Sequence, residues 1–172
     1  MKLSKLEYPD RDIISHINDT KDHIGDTKDV TIINDGYGNK DYLDSKKTDK
    51  GIEIRSSAKN SEQFLKHYPY IIGHIVANKI APEETNSIQS ELNLNKKTNE
   101  KTSPVLESST LSPIQKKVAG FAAKSFMDWR SNKPSVSFSE YLDLNPPGTY
   151  LERLLQDVVK RVTTKVNKKE PK

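Results

Sequence analysis

A chain of 172 residues is long enough for one ordinary domain, or for a domain of roughly 100 residues with a long polar companion segment. Hydrophobic residues make up 33%, charged residues 30%, and the mean hydropathy is -0.80, so a core can form only where the apolar residues are concentrated. With no cysteine, disulfides, thiolate zinc sites, iron–sulfur clusters and cysteine nucleophiles are excluded.

The first residues, Met1 to Glu7, are charged and are followed by Asp10, Arg11 and Asp12, where a secretory signal needs an apolar stretch. The longest apolar run, Tyr70 to Ala77, is interrupted by His74 and is far short of the roughly 20 residues that span a bilayer. No membrane span and a cytoplasmic location are expected, with export through another kind of signal left open. The net charge of +4 is unevenly placed: residues 113–172 hold 12 Lys and Arg against 6 Asp and Glu, whereas residues 1–112 hold 16 against 18. The basic character belongs to the C-terminal third.

Up to residue 60 the acids are 10 Asp and 2 Glu, and beyond it 3 Asp and 9 Glu. Aspartate favours caps and turns while glutamate sits comfortably in helices, which predicts a boundary near Asn60. Within 1–60, Asp19-Thr20-Lys21-Asp22 repeats as Asp26-Thr27-Lys28-Asp29, too few copies for a solenoid. Val30 to Ile33 is β-rich and runs into the turn signal Asn34-Asp35-Gly36, and Ile52 to Arg55 follows Asp49-Lys50-Gly51 in the same style. A flexible region or a small hairpin or meander over residues 30–56 is expected.

From Ser61 the pattern turns helical. Residues 61–92 are expected to hold a short turn carrying Phe64, Leu65 and Tyr68, a new helix starting at Pro69 with Ile71, Ile72, Ile75, Val76 and Ile80 in one stripe, and a weaker helix from Pro82 with Ile88 and Leu92. Residues 93–112 are polar and Ser/Thr-rich and predict a linker.

Three capping boxes punctuate residues 113–166: Ser112 with Gln115, Ser137 with Glu140, and Thr149 with Glu152. The first helix, about 113–130, carries Ile114, Val118, Phe121, Ala122, Phe126 and Trp129. The second spans Phe138 to Leu144 and is stopped at Asn145-Pro146-Pro147-Gly148. The third, about 150–166, sets Leu151, Leu154, Leu155, Val158, Val159, Val162 and Val166 at helical spacing. Residues 167–172 form a basic tail. The expected fold class is mainly α, a small C-terminal helical bundle behind a flexible or weakly β N-terminal region.

Lys160, Arg161, Lys165, Lys168 and Lys169 are candidate phosphate contacts, although cations in a last helical turn also complement the helix dipole and arginine is scarce here. Asp12, His16, Asp19, His23 and Asp26 would share a stripe if helical, but Gly25 and the aspartates oppose a regular helix and no metal site is expected. His67 and His74 flank the apolar helix, where packed histidines are commoner than general bases, and neither a serine elbow nor a carboxylate orienter lies in recognisable spacing. Gly36-Tyr37-Gly38 lacks the rest of a phosphate loop. Catalytic residues and cofactors are therefore not expected.

Aromatic residues cluster in the C-terminal module, most of them to build its core. Those left outside, with Met127, would make a partner surface, for which the candidates are Phe126, Met127, Trp129, Tyr141 and Tyr150. The expected function is that of a non-enzymatic adaptor, assembly or regulatory protein whose helical module docks another protein. A nucleic-acid-binding accessory role through the basic C-terminal surface is the alternative, and the sequence leaves homo-oligomerisation open.

Overall fold

The computed structural model of the chain describes residues 2–6, 28–34, 42–58, 61–94, 103–132 and 135–164. They are mostly helical, with a small sheet. The strands are β1 (Lys2–Leu6), β2 (Val30–Asn34), β3 (Leu43–Thr48) and β4 (Gly51–Ser56). The helices are α1 (Ser61–Ala77), α2 (Pro82–Leu94), α3 (Pro104–Glu107), α4 (Pro113–Asn132), α5 (Phe138–Leu144) and α6 (Tyr150–Thr163).

The four strands lie in the order β1-β2-β4-β3. β3 and β4 form the local hairpin, closed by Asp49 and Lys50, with Thr48 opposite Gly51. Gly51 has φ 133, and a Cβ there would stand 2.1 Å from the carbonyl oxygen of Asp29, so both conformation and space require glycine. This close approach also lets the Ile52 amide donate to the Asp29 carbonyl at 2.8 Å, which starts the parallel pairing of β2 with β4. The expected hairpin or meander over residues 30–56 is corrected in one respect: β3 and β4 make a hairpin, but β2 pairs parallel with both β1 and β4. Val30 and Ile32 of β2, Leu43 of β3, and Ile52 and Ile54 of β4 are buried, the alternation of a sheet covered on one face.

α1 covers that face. Residues 71–78 are buried without interruption, as in a helix enclosed on all sides, here between the sheet and α4. The break expected at Pro69 is absent, and one helix runs from Ser61 to Ala77 through the buried proline. Proline removes one helical hydrogen bond, a cost of about 3 kcal/mol. Burial of Phe64, Tyr68, Ile71, Ile72 and Ile75 on the two halves, at about 1.5–3 kcal/mol for each large side chain, outweighs it and keeps the helix continuous.

α4, α5 and α6 pack on one another as the C-terminal bundle, yet the most extensive helix pairing is α1 with α4. A Cβ at Gly73 of α1 would lie 2.5 Å from the Ala119 carbonyl oxygen of α4, so the two backbones meet at van der Waals distance. One apolar core joins residues from Val30 to Val159, taken from both sides of the expected boundary near residue 60. In the stretch expected as linker, Ser103 to Leu111 is packed: Leu106 and Leu111 are buried with Ala77 and Ala119. There Asp44 Oδ1 on β3 accepts from the Thr110 amide at 3.1 Å and its hydroxyl at 3.0 Å. No described helix is long and apolar enough to cross a membrane.

Candidate functional site

The helical caps fix the walls of the site. Ser112 and Gln115 exchange hydrogen bonds at the start of α4, and Ser137 and Glu140 do so at the start of α5. At α6 the Glu152 amide donates to Thr149 Oγ1 at 3.1 Å, while the Thr149 hydroxyl donates to the Glu152 carboxylate. Gln156, buried, donates to the Leu142 carbonyl at 2.6 Å and ties α6 to α5.

α4 buries Ile114, Val118, Ala119, Ala122, Ala123, Phe126 and Trp129, which leaves an outward face with Lys116, Lys117, Gly120, Phe121, Lys124, Met127 and Asp128. That face is the floor of an open groove of about 860 Å³. Tyr141, Leu142, Asn145 and Pro147 at the end of α5, Leu151, Glu152 and Leu155 on α6, and Tyr70, Leu92, Leu106 and Glu107 from α1, α2 and α3 complete its lining. Gly120 leaves room in the floor, since a Cβ there would meet only Leu106 Cδ1, at 3.6 Å. Met127 is 36% exposed, and Phe121 and Tyr141 are half-buried, so apolar surface is presented between lysines and carboxylates. Lys116 donates from its ammonium to the Glu107 carbonyl at 3.0 Å.

Of the five residues expected to meet a partner, the groove brings together Met127 and Tyr141. Phe126 and Trp129 are instead core residues: Phe126 packs on Tyr68, Trp129 and Phe138 with ring centroids 5.6–5.8 Å apart, and Trp129 Nε1 donates to the Val136 carbonyl at 3.1 Å. Their position on the α4 stripe was visible in the sequence; that α1 would cover it was not. Tyr150 is 59% exposed and lies outside the groove. Tyr70, Leu92 and Phe121 are among the lining residues that were not expected at a surface, because each sits in an apolar run or helical stripe in the sequence.

The candidate phosphate contacts fare differently. Lys160 pairs with Asp143. Arg161 holds Glu84 through two hydrogen bonds, Nε to Oε2 at 2.8 Å and Nη2 to Oε1 at 2.7 Å, and also donates to the Lys79 carbonyl at 2.7 Å. These bonds hold the Glu84 carboxyl below its ordinary value and raise the Arg161 guanidinium, so the pair fastens α6 to the start of α2. Because Arg161 is half-exposed and screened, Arg161→Ala should cost about 1 kcal/mol or less in denaturant unfolding, and the loss should shrink in high salt. A loss above about 3 kcal/mol would show that the pair anchors more than two helix ends.

Lys165, Lys168 and Lys169, the set Asp12, His16, Asp19, His23 and Asp26, and Gly36-Tyr37-Gly38 lie outside the described residues. His67 and His74 are both buried in the seam between α1 and the sheet, where His67 Nδ1 is 3.3 Å from Ser56 Oγ and His74 Nδ1 is 2.7 Å from Ser45 Oγ. Compared with protein-family models, with curated proteins and with solved structures, the chain shows no match.

Proposed function

We propose that the protein is a non-enzymatic adaptor or assembly factor that holds an amphipathic segment of a protein partner in the groove along α4. The observation that carries this reading is the groove itself, with Phe121, Met127 and Tyr141 as its apolar contact surface and lysines and carboxylates around them. Interfaces concentrate their energy in a few aromatic and methionine contacts surrounded by a polar rim. Methionine adapts its shape to an entering side chain. A partner helix or strand with two or three apolar anchors and both signs of charge at its edges matches this lining.

The alternative is binding of nucleic acid through the basic C-terminal surface. It has less support, because Lys160 and Arg161 already have carboxylate partners. Neutralising phosphates with them would first require breaking those pairs.

Affinity capture with the full chain tests the two readings. Met127→Glu, at a position 36% exposed, should leave the fold intact and weaken retention of the partner at least tenfold, the scale of an interface hot spot. Nuclease treatment should leave capture unchanged. Binding that resists Met127→Glu but disappears with nuclease, or with the Lys165→Glu, Lys168→Glu, Lys169→Glu triple change, would select the nucleic-acid reading.

A further inference from the structure

Away from the groove, α1 carries a titratable ring into its seam with the sheet. His74 has no solvent exposure. Its Nδ1 lies 2.7 Å from Ser45 Oγ on β3, and the same oxygen accepts from Asn78 Nδ2 at 2.8 Å, while Asn78 also donates to the His74 carbonyl at 2.8 Å. The amide of Asn78 occupies one lone pair of Ser45 Oγ, so the hydroxyl proton is available for His74 Nδ1. With the hydroxyl donating to Nδ1, the proton of a neutral ring sits on Nε2, and Nε2 has no hydrogen-bond partner among the described residues.

We propose that His74 is an acid-sensitive latch between the sheet edge and α1: the neutral ring locks β3 to α1 through Ser45 and Asn78, and protonation expels it and frees that seam. A protonated ring would need acceptors on both nitrogens. The proton gained is the one on Nδ1, so Ser45 Oγ would have to accept twice and lose its own acceptor, while Nε2–H gains no acceptor among the described residues to spread the new charge.

The charged surroundings offer little relief. On β3 the Asp44 carboxylate attracts a charged ring, but Asp44 Oδ1 already accepts from Ser45 and Thr110. β4 meets α1 through the neutral Ser56 at His67, and α4 meets it through Ala119 at Gly73 and Gln115 at Ala77. Beyond the end of α1, Lys79 pairs with Asp29, and on α6 Arg161 is held by Glu84.

Burial outweighs the attraction of Asp44 and lowers the His74 pKa from its ordinary 6.5 to about 4. Between those values the opened seam binds a proton that the closed seam refuses. Closure is at full strength above about pH 6.5, weakens as the pH falls toward 4 and levels off below it.

Amide hydrogen exchange of the full chain between pH 7.5 and 4.5, corrected for intrinsic rates, tests the latch. Protection of Leu43–Thr48 in β3 should fall on the order of fiftyfold across that range, with a smaller change in α4. His74→Asn, which keeps an acceptor near the position of Nδ1, should abolish the fall, and His67→Asn should keep it. If His74→Asn fails to fold, His74→Gln and the wild-type ring resonance decide: the His74 Cε1–H shift must titrate together with the loss of β3 protection. A ring that titrates near its ordinary value while β3 stays protected, or the same fall in the His74 variants, overturns the proposal.

Discussion

Phe126→Ala should destabilise the protein by about 3–5 kcal/mol, a third or more of the stability of an ordinary domain. The side chain is 1% exposed and occupies the point where three helices converge. Its ring meets Tyr68 of α1 edge-on at 5.8 Å and 64°, Phe138 of α5 edge-on at 5.7 Å and 77°, and Trp129 on its own helix at 5.6 Å. Truncation removes the transfer energy of the ring and leaves a cavity whose walls are themselves rigid aromatics, which limits collapse. Edge-to-face geometry adds roughly 0.5–1.5 kcal/mol per pair beyond buried area. Denaturant unfolding followed by Trp129 fluorescence measures it, and the tryptophan also reports whether the native environment has loosened. Phe126→Leu, which refills most of the volume, should recover more than half of the loss. A cost below about 1 kcal/mol for the alanine variant would mean that this cluster is not the centre of the core.

Gly73→Ala and Gly120→Ala should move stability in opposite directions. Both glycines are inside helices, where alanine gains about 1 kcal/mol from propensity alone. At Gly73 the new methyl would stand 2.5 Å from the Ala119 carbonyl oxygen and 3.1–3.2 Å from its carbonyl carbon and Cα. These are backbone atoms in the middle of α4, so relief requires the two helices to part, and that separation loosens Phe126, Tyr68 and Ile72 together. Overpacking of this kind costs about 1–3 kcal/mol and occasionally more, and with backbone on the opposing side the upper end is expected, for a net loss of about 2 kcal/mol. At Gly120 the methyl meets only the mobile end of Leu106 at 3.6 Å, so Gly120→Ala should be neutral or stabilising by up to about 1 kcal/mol. Thermal unfolding of the two variants side by side provides the check. A stabilised Gly73→Ala would mean that α1 and α4 can separate without cost.

Features written in short stretches of sequence are the ones that were legible. Ser137 and Glu140 cap α5 as their spacing implies, Asn145 ends it, and Leu151, Leu155, Val158 and Val159 are buried on α6 as one stripe. Features created by residues far apart were not. β3 reads as polar because Lys46 and Lys47 are exposed on an edge strand, and only Leu43 and Ser45 turn inward. α3 is four residues long, too short for a periodic signal, and its Leu106 is buried with Ala77 of α1 and Ala119 of α4. Ser45, His74 and Asn78 meet across separations of 29 and 33 residues. Their contact follows from the covering of the sheet by α1, which composition and periodicity do not encode. The groove has the same origin: Phe121 and Met127 were visible as residues on α4, but the wall opposite them depends on how α5 and α6 turn at Pro146 and Pro147.

The placement of β4 between β2 and β3 also orders events in time. The β3–β4 hairpin closes a loop of two residues, Asp49 and Lys50, and hairpins of this kind form within about 1–10 μs. The parallel contact of Val30 with Ile52 must close a far longer loop, and that of Lys2 with Thr31 a longer one again, each with a larger entropy to overcome before any ladder bond rewards it. A newly formed hairpin therefore exposes one side of β4 as a templating edge until β2 arrives. During that interval the chain depends on the lysines of β3 and the charges of Glu53 and Arg55 to discourage pairing with the wrong strand.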